Sequence, residues 1–309
     1  MILLKEVGFN YPEKESIIDG INLSVKKGEI FGLVGASGGG KSTLLKLIAG
    51  FLDATKGEIS WKGKRIVGPA YKLVPGNEHV ELVNQDYKLD IYHTVRENLL
   101  VQMYHLDDED RGPFADELLE LMELTHRSDI QALSISGGEQ QRLAIARALA
   151  KESDVLLLDE PFAHLDAHLR QKIGQYIKTL IKVRKTTCIF VSHDGSEVMQ
   201  WCGRIGFLNN GKLERIAAPN AFYYKPSSFF ESRFFGEINR IKIQGKEVLF
   251  RPDEYKISKD SSLELTGIEA VFAGGFWKTY FKTNKKETIV LYGLKPLMNV
   301  RQIAIKRKK

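Results

Sequence analysis

The sequence predicts an α/β domain followed by a smaller all-β domain. Over residues 1 to about 215, short β-rich runs alternate with helical patterns, which is typical of a layered α/β core. From about residue 238 onward, short alternating runs are separated by Gly, Asn, Lys and Asp, which indicates a small barrel or sandwich. We therefore expect the first domain at 1–220, an aromatic-rich joint at 221–237 and the second domain at 238–309.

Apolar runs mark the strands of the first domain, and polar or glycine-rich openings mark its helices. The predicted strands are "ILLKEVGF", "NLSVKK", "EIFGLVG", "GEISWKG", "VELVNQ", "DVLLLD", "TTCIFVS" and "RIGFLN". Helices are predicted to begin near Lys41, Thr94, Pro113, Ser136, Ala167 and Ser196. Between 87 and 135 the sequence is acidic and has no strand pattern, so we interpret this stretch as a helical insertion.

Composition narrows the classes of protein that the chain can represent. The longest apolar runs are far shorter than the roughly 20 residues that cross a bilayer, and the opening segment lacks a secretory pattern. Only 2 cysteines are present, so a disulfide framework is not expected and the cytosol is the default compartment. The net charge of +6 fits either a solvated basic surface or an anionic partner such as lipid or nucleic acid.

The segment "GASGGGKS" at 35–42 has the pattern of a phosphate-binding loop. An apolar strand precedes it and a helix follows it, which is the context that this pattern requires. Glycines let backbone N–H groups surround a phosphate, Lys41 supplies a positive charge, and the Ser42 hydroxyl is a ligand type that Mg²⁺ accepts. The alternative is a flexible glycine-rich turn before a helix.

Two acidic residues follow a second apolar run in "VLLLDEP". Asp159 and Glu160 are expected at the carboxyl end of a buried strand, the edge at which open α/β sheets bind ligands. Asp159 is a candidate Mg²⁺ ligand, and Glu160 is a candidate general base for an attacking water molecule. An acidic pair in a solvated turn is the alternative.

A second glycine-rich helix opening occurs in "LSISGGEQQRLAIARALA". The first N–H groups of a helix lack partners and attract anions, so Ser136, Gly137 and Gly138 form a second candidate phosphate site. Together with "HLD" at 164–166, "VSHD" at 191–194 and a glutamine at position 85, these segments resemble the nucleotide-binding subunit of ABC transporters. The resemblance implies a P-loop NTPase core with an antiparallel β subdomain and a helical insertion, and it implies ATP hydrolysis.

The resemblance also implies a role for each matching residue. Tyr11 would stack on adenine, with Phe9 as the rival position, and a turn aromatic is the structural alternative. Gln85 would contact Mg²⁺ and the attacking water, and His193 would contact the γ-phosphate and orient Glu160; structural roles are the alternatives. Asp166 would lie in the loop that crosses between subunits. The implied ATP-binding residues are Tyr11, Gly35, Ala36, Ser37, Gly38, Gly39, Gly40, Lys41, Ser42 and Thr43, and the implied Mg²⁺ ligands are Ser42, Gln85 and Asp159.

In the family, the second helix opening serves the nucleotide held by another copy of the chain. Ser136, Gly137, Gly138 and Glu139 would therefore cap an ATP in a head-to-tail homodimer. The commonest family signature has Leu and Gln where this chain has Ile135 and Glu139. The contact that Glu139 makes across such an interface is left open, because a carboxylate near a γ-phosphate would be repelled.

In the second domain, "RPDEYKI" at 251–257 follows a β-run and precedes a hairpin pattern of Gly, Val and Gly. These segments resemble the small oligomer-fold-like barrel of importer ATPases for iron, polyamines, sugars or oxyanions, and a β-domain without a family tie is the alternative. The resemblance implies separate membrane permease subunits, an extracytoplasmic solute-binding protein, no nucleic-acid partner, and a peripheral position on the cytoplasmic face of the membrane. A permease would dock near Leu89 and Tyr92. A soluble ABC ATPase acting on nucleic acid or ribosomes, or an exporter ATPase, remains the alternative function.

Overall fold

The chain folds into two units, Met1–Ala217 and Ala218–Lys309. The computed structural model describes residues 1–12, 16–84, 87–163, 165–258 and 263–307. Within these ranges, no helix is both long enough and apolar enough to cross a membrane. The α/β fold with a small β domain is confirmed.

The described residues of the first unit form ten strands, which divide into two sheets. Their bounds are β1 (Ile2–Phe9), β2 (Ile18–Val25), β3 (Ile30–Val34), β4 (Lys56–Trp61), β5 (Lys64–Arg65), β6 (Val80–Val83), β7 (Val155–Asp159), β8 (Thr187–Ser192), β9 (Arg204–Asn209) and β10 (Lys212–Ala217). One sheet has the order β10-β9-β3-β8-β7-β6, in which β9 to β6 are parallel and β10 is an antiparallel edge strand. Strands β7 and β8 are buried along their whole length, as expected for central strands of a covered parallel sheet.

The second sheet of this unit is antiparallel, with the order β2-β1-β4-β5. Its inward side chains join those of β3 and the following helix in one apolar core that includes Ile2, Leu4 and Leu45. The sequence analysis missed β5 and β10. Strand β10 alternates between half-buried and exposed residues, so no apolar run marks it, but Asn210 and Gly211 both have positive φ and form the hairpin turn before it.

The part of the first unit that the structure describes has six α-helices, and side-chain caps fix where several of them begin. Their bounds are α1 (Lys41–Ile48), α2 (Val95–Leu100), α3 (Asp108–Leu121), α4 (Gly137–Ala150), α5 (Ala167–Arg184) and α6 (Gly195–Trp201). Thr94 and Ser136 are the N-caps of α2 and α4, each in a capping box with a glutamate three residues on.

The predicted start of a helix at Pro113 is wrong. Helix α3 begins at Asp108, and Pro113 lies inside it. Three acidic residues in the first turn of α3, Asp108, Glu109 and Asp110, interact favourably with the positive end of the helix. We attribute the early start to this charge pattern, which offsets part of the cost of Pro113, whose ring removes one backbone hydrogen bond and crowds the carbonyl of Glu109.

Over residues 218–258 and 263–307, the second unit forms two short α-helices and seven strands. Their bounds are α7 (Pro219–Tyr224), α8 (Phe229–Ser232), β11 (Asn239–Ile243), β12 (Lys246–Phe250), β13 (Tyr255–Ile257), β14 (Leu265–Phe272), β15 (Trp277–Thr283), β16 (Thr288–Gly293) and β17 (Ile303–Ile305). The strands pair as β11-β12, β13-β17 and β14-β15-β16, all antiparallel, around a core that includes Phe250, Phe281 and Leu291.

Arg251 is the largest fully buried side chain of the second unit. Its guanidinium donates hydrogen bonds to five backbone carbonyls, those of Phe222, Tyr223, Ser232, Gly236 and Glu237. Burial lowers the pKa of Arg251, and the nearby Tyr223 ring and acidic groups oppose that shift. The arginine therefore attaches the aromatic segment before β11 to the start of the "RPDEYKI" segment.

Candidate nucleotide-binding and catalytic site

The loop between β3 and α1 has the backbone that a phosphate-binding loop requires. Gly40, the N-cap of α1, has φ +97°, a conformation that side chains rarely adopt. A Cβ atom at Gly35 would lie 1.9 Å from the carbonyl oxygen of Leu208, so no larger residue fits there. Ala36, Ser37, Gly38 and Gly39 complete the loop, and Thr43 lies in the first turn of α1.

Lys41 is buried at the centre of this loop. Its ammonium group donates hydrogen bonds to the carbonyl oxygens of Gly35 and Ala36, each at 2.9 Å. Burial lowers the pKa of Lys41, whereas the negative charges of Glu160 and Asp159 act in the opposite direction. The loop therefore contains a preordered positive group facing two carboxylates.

Asp159 is the last residue of β7 and is buried. Burial raises the pKa of this carboxyl group, and a hydrogen bond from the Ser42 hydroxyl opposes that effect. No cluster of three or more His, Cys, Asp or Glu that could hold a metal is found in the described parts of the chain. Mg²⁺ bound beside phosphates usually takes only one or two carboxylates from the protein, so Ser42 and Asp159 fit such an ion.

Glu160 follows Asp159 in an unusual backbone conformation. Its φ is +50°, and its N–H donates to the carbonyl oxygen of Val191 at the end of β8. The Nδ1 atom of His193 lies 3.1 Å from the Glu160 carboxylate, and the two side chains are 62% and 22% exposed, respectively. The neighbouring ends of β7 and β8 thus bring together Glu160 and His193, two of the three residues that the sequence analysis placed in catalysis; the third, Gln85, lies outside the described residues.

Glu139 has partners within its own chain. Its carboxylate accepts hydrogen bonds from the backbone N–H and the hydroxyl of Ser136, and it forms an ion pair with Arg127 at 3.1 Å. These hydrogen bonds from Ser136, together with Arg127, lower the pKa of Glu139 to about 2. In the single chain, Glu139 therefore caps helix α4.

The remaining predicted residues occupy separate parts of the first unit. Tyr11 is half-buried, and its ring packs edge-on against Phe9 with 4.8 Å between ring centroids. Asp166 is the N-cap of α5 and accepts a hydrogen bond from the backbone N–H of Leu169. Gln85 lies outside the described residues. The roles of all these residues remain predictions.

Comparison with known proteins identifies the family. The ABC transporter family matches residues 18–163. The spermidine/putrescine import ATP-binding protein PotA of Bacillus cereus is 35% identical over 283 residues, which is 89% of this chain and 85% of that protein. The chain belongs to the ABC transporter ATP-binding family. An uncharacterised ABC transporter ATP-binding protein of Escherichia coli, YdcT, is 34% identical over 286 residues, covering 89% of this chain and 84% of its own length.

Solved structures of ABC ATPases share the fold. A dimeric ATP-binding cassette in a post-hydrolysis state with ADP and Pi has a TM-score of 0.62 and 30% identity. The match covers 71% of this chain and 99% of that cassette. The predicted family, fold and ATP hydrolysis coupled to transport are confirmed for this ABC ATPase.

The sequence analysis of this ABC ATPase missed Gln141. Its buried side-chain amide donates to the backbone carbonyl oxygens of Glu160 and Pro161, at 3.3 and 3.0 Å. The residue is part of the quoted "GGEQQRLAIA" segment, but nothing in the local pattern shows which of two consecutive glutamines points towards β7. The position of Gln141 in helix α4 directs its amide towards the end of β7. The carbonyl of Glu160 that it contacts lies 19 residues later in the chain.

Replacing Glu139 tests its role as a helix cap in this ABC ATPase. The pKa of Glu139 is lower in the folded chain than its ordinary 4.5, so its stabilising effect is complete above about pH 4.5 and is lost as pH falls towards 2. Glutamine can keep the capping-box contact with Ser136 but loses the charge that pairs with Arg127, so we expect Glu139→Gln to lower the free energy of unfolding by about 0.5 to 1 kcal/mol at pH 7. Urea unfolding should show this difference becoming smaller at pH 4. Glu152→Gln, at an exposed glutamate just after α4, is the control. An equal loss of unfolding free energy at pH 7 and at pH 4 would contradict the role of the Glu139 carboxylate in stabilising the start of α4.

Proposed function

We propose that this chain binds ATP with Mg²⁺ and hydrolyses it to drive solute import through separate permease subunits. The observation that carries the proposal is the convergence of Lys41, Asp159, Glu160 and His193 at the carboxyl edge of the parallel sheet. This is the edge at which open α/β sheets bind ligands. The phosphate loop, the buried carboxylate and the glutamate–histidine pair have the chemistry of phosphoryl transfer to water.

Phosphate binding is assigned to the loop and to Lys41. Backbone N–H groups of 35–43 and the Lys41 ammonium hold the β- and γ-phosphates, while Tyr11 stacks on adenine. Ser42 and Asp159, with Gln85, hold Mg²⁺, which supplies positive charge to the phosphate oxygens when it is bound. The hydrogen bond between Ser42 and Asp159 supports this pairing.

Glu160 is assigned as the general base. Its carboxylate accepts a proton from the water that attacks the γ-phosphate, and His193 holds both Glu160 and the γ-phosphate in position. The distance of 3.1 Å between the two side chains supports their joint action.

Two copies of the chain complete each site. Ser136, Gly137 and Gly138 lie at the start of helix α4, whose positive end attracts anions, and all three are at least partly exposed. We propose that they cap the γ-phosphate held by the partner copy, with Asp166 in the loop between the subunits. The dimeric cassette among the solved relatives supports this arrangement.

Polyamines are the first class of solute to test, because the B. cereus relative is named as a spermidine/putrescine import protein. The proposed complex contains a homodimer of this chain on the cytoplasmic face of the membrane, permease subunits and an extracytoplasmic solute-binding protein. The test is ATP hydrolysis by the chain reconstituted in liposomes with the permease subunits and solute-binding protein of a polyamine importer. We expect spermidine or putrescine with the solute-binding protein to stimulate hydrolysis and to enter the liposomes with it. Efflux of solute driven by ATP, or ATPase activity that no permease alters, would contradict the importer assignment.

Docking of the permease is proposed at the exposed segment before α2. Tyr92 is 72% exposed there, and Leu89 is half-buried nearby. We expect Tyr92→Glu or Leu89→Glu to reduce solute uptake by about tenfold or more, because a charge at the centre of an apolar contact opposes docking. ATP hydrolysis by the isolated chain should stay within twofold of the wild type.

Tyr104 provides a matched control, since it is also 72% exposed and lies in the same helical insertion. Tyr104→Glu should leave uptake unchanged. Equal uptake by the Tyr92→Glu, Leu89→Glu and Tyr104→Glu variants would place the docking surface elsewhere.

A further inference from the structure

The Gln141 side chain of helix α4 contacts the segment that follows β7. Gln141 is 4% exposed, and its Nε2 atom lies 3.3 Å from the carbonyl oxygen of Glu160 and 3.0 Å from that of Pro161. A single amide therefore joins two consecutive carbonyl groups of the segment that contains the proposed base.

The Glu160 backbone needs such support. A φ of +50° is rarely adopted by a residue with a side chain, and it persists only where surrounding contacts hold it. The N–H of Glu160 is bound by the carbonyl of Val191, and its C=O accepts hydrogen bonds from Gln141 and from the Ala163 N–H. These bonds fix the backbone on both sides of the Cα atom, and so they fix the direction in which the carboxylate leaves it.

Stability alone does not account for a glutamine at this position. The Oε1 atom of Gln141 is buried and has no hydrogen-bond partner among the residues that the structure describes. An unpaired buried acceptor costs stability that an apolar side chain of similar length would avoid. The amide also borders a cavity of about 260 Å³ whose lining includes Asn84, Asp159 and Glu160, so it lies beside the reacting groups.

We propose that Gln141 is a positioning residue for hydrolysis, which holds the Glu160 backbone so that its carboxylate reaches the attacking water. The inference rests on the proposed role of Glu160 as general base. It also gives helix α4 two functions: its first residues face the partner's nucleotide, and Gln141, five residues after the N-cap Ser136, holds the base of its own site.

The test compares steady-state ATP hydrolysis by the full-length Gln141→Met and Gln140→Met variants. Gln140 is the matched control, because its amide donates to the Ala132 carbonyl at 2.9 Å and does not contact Glu160 in the structure. We expect Gln141→Met to lower kcat about tenfold with the KM for ATP within twofold of the wild type, since small displacements of a catalytic group reduce turnover. Its thermal transition should be unchanged or higher. Rates are expressed per ATP-binding site, so that misfolded chains do not count.

A second variant and a second background keep the test decisive. Gln141→Glu keeps the side-chain length but loses the donating amide, and it should show the same loss of kcat if the methionine variant folds poorly. In a Glu160→Gln background, Gln141→Met should change the residual rate by less than twofold, because both substitutions act on the same step. A kcat for both Gln141 variants within twofold of Gln140→Met, or a full tenfold loss in the Glu160→Gln background, would overturn the proposal. If Glu160→Gln alone leaves turnover unchanged, the proposed base fails, and that result is distinguishable from a failure confined to Gln141.

Discussion

Replacing Glu160 by glutamine is expected to reduce ATP hydrolysis by about 10² to 10⁴-fold, the range over which a general base contributes to catalysis. Glutamine has nearly the same shape as glutamate but cannot accept a proton from water. The backbone contacts of residue 160 with Val191 and Gln141 do not depend on its side chain, so the site should keep its geometry.

Binding of ATP should survive this substitution, because the phosphate loop and Lys41 are unchanged. Steady-state release of phosphate gives the rate, and equilibrium binding of a fluorescent ATP analogue gives the affinity. Glu152→Gln, at an exposed position away from the site, is the control and should hydrolyse ATP at the wild-type rate. Turnover near the wild-type value in Glu160→Gln would remove Glu160 from the role of base.

Arg251→Met is expected to destabilise the second unit by about 3 kcal/mol or more, because each buried carbonyl that loses its donor costs about 1 to 3 kcal/mol. The guanidinium has no exposed surface and satisfies five backbone carbonyls. Methionine fills much of the volume but donates no hydrogen bond, so these carbonyls are left buried without the donor that they have in the wild type.

Trp277 reports on this unit, because it is the tryptophan of β15, while Trp61 and Trp201 belong to the first unit. Denaturant unfolding followed by Trp277 fluorescence, with Trp61 and Trp201 replaced by phenylalanine, measures the effect. Arg240→Met removes an exposed ion pair with Glu247 and should cost less than about 1 kcal/mol. A similar small loss for Arg251→Met would show that the buried guanidinium does not stabilise the unit.

The parts of the site that follow a local pattern were predictable from the sequence. The glycines of the phosphate loop, Lys41, and the acidic residues that end β7 are specified by short segments whose chemistry depends on neighbours in the chain. The starts of helices α4 and α5 near Ser136 and Ala167 were also predicted from the sequence.

The parts that were not predictable depend on contacts between distant segments. Arg251 begins the "RPDEYKI" segment, which is recognisable in the sequence. The backbone carbonyls that accept its hydrogen bonds belong to residues 14 to 29 positions earlier in the chain. The Arg127 partner of Glu139 comes from a short 3-10 turn of the helical insertion, and the Gln141 amide points towards a strand end. The packing of helices against the sheet determines which of these side chains meet, and residue spacing alone does not specify that packing.

Sharing of each ATP site between two copies of the chain is the central claim, and sedimentation tests it most directly. With saturating ATP and Mg²⁺, the Glu160→Gln chain should sediment as a dimer of twice the 35.0 kDa chain mass. Adding Ser136→Arg should return it to a monomer that still binds ATP, because the bulky side chain blocks the partner's nucleotide. A monomer of 35.0 kDa for Glu160→Gln at ATP saturation, or a dimer that forms equally well with Ser136→Arg, would contradict the account.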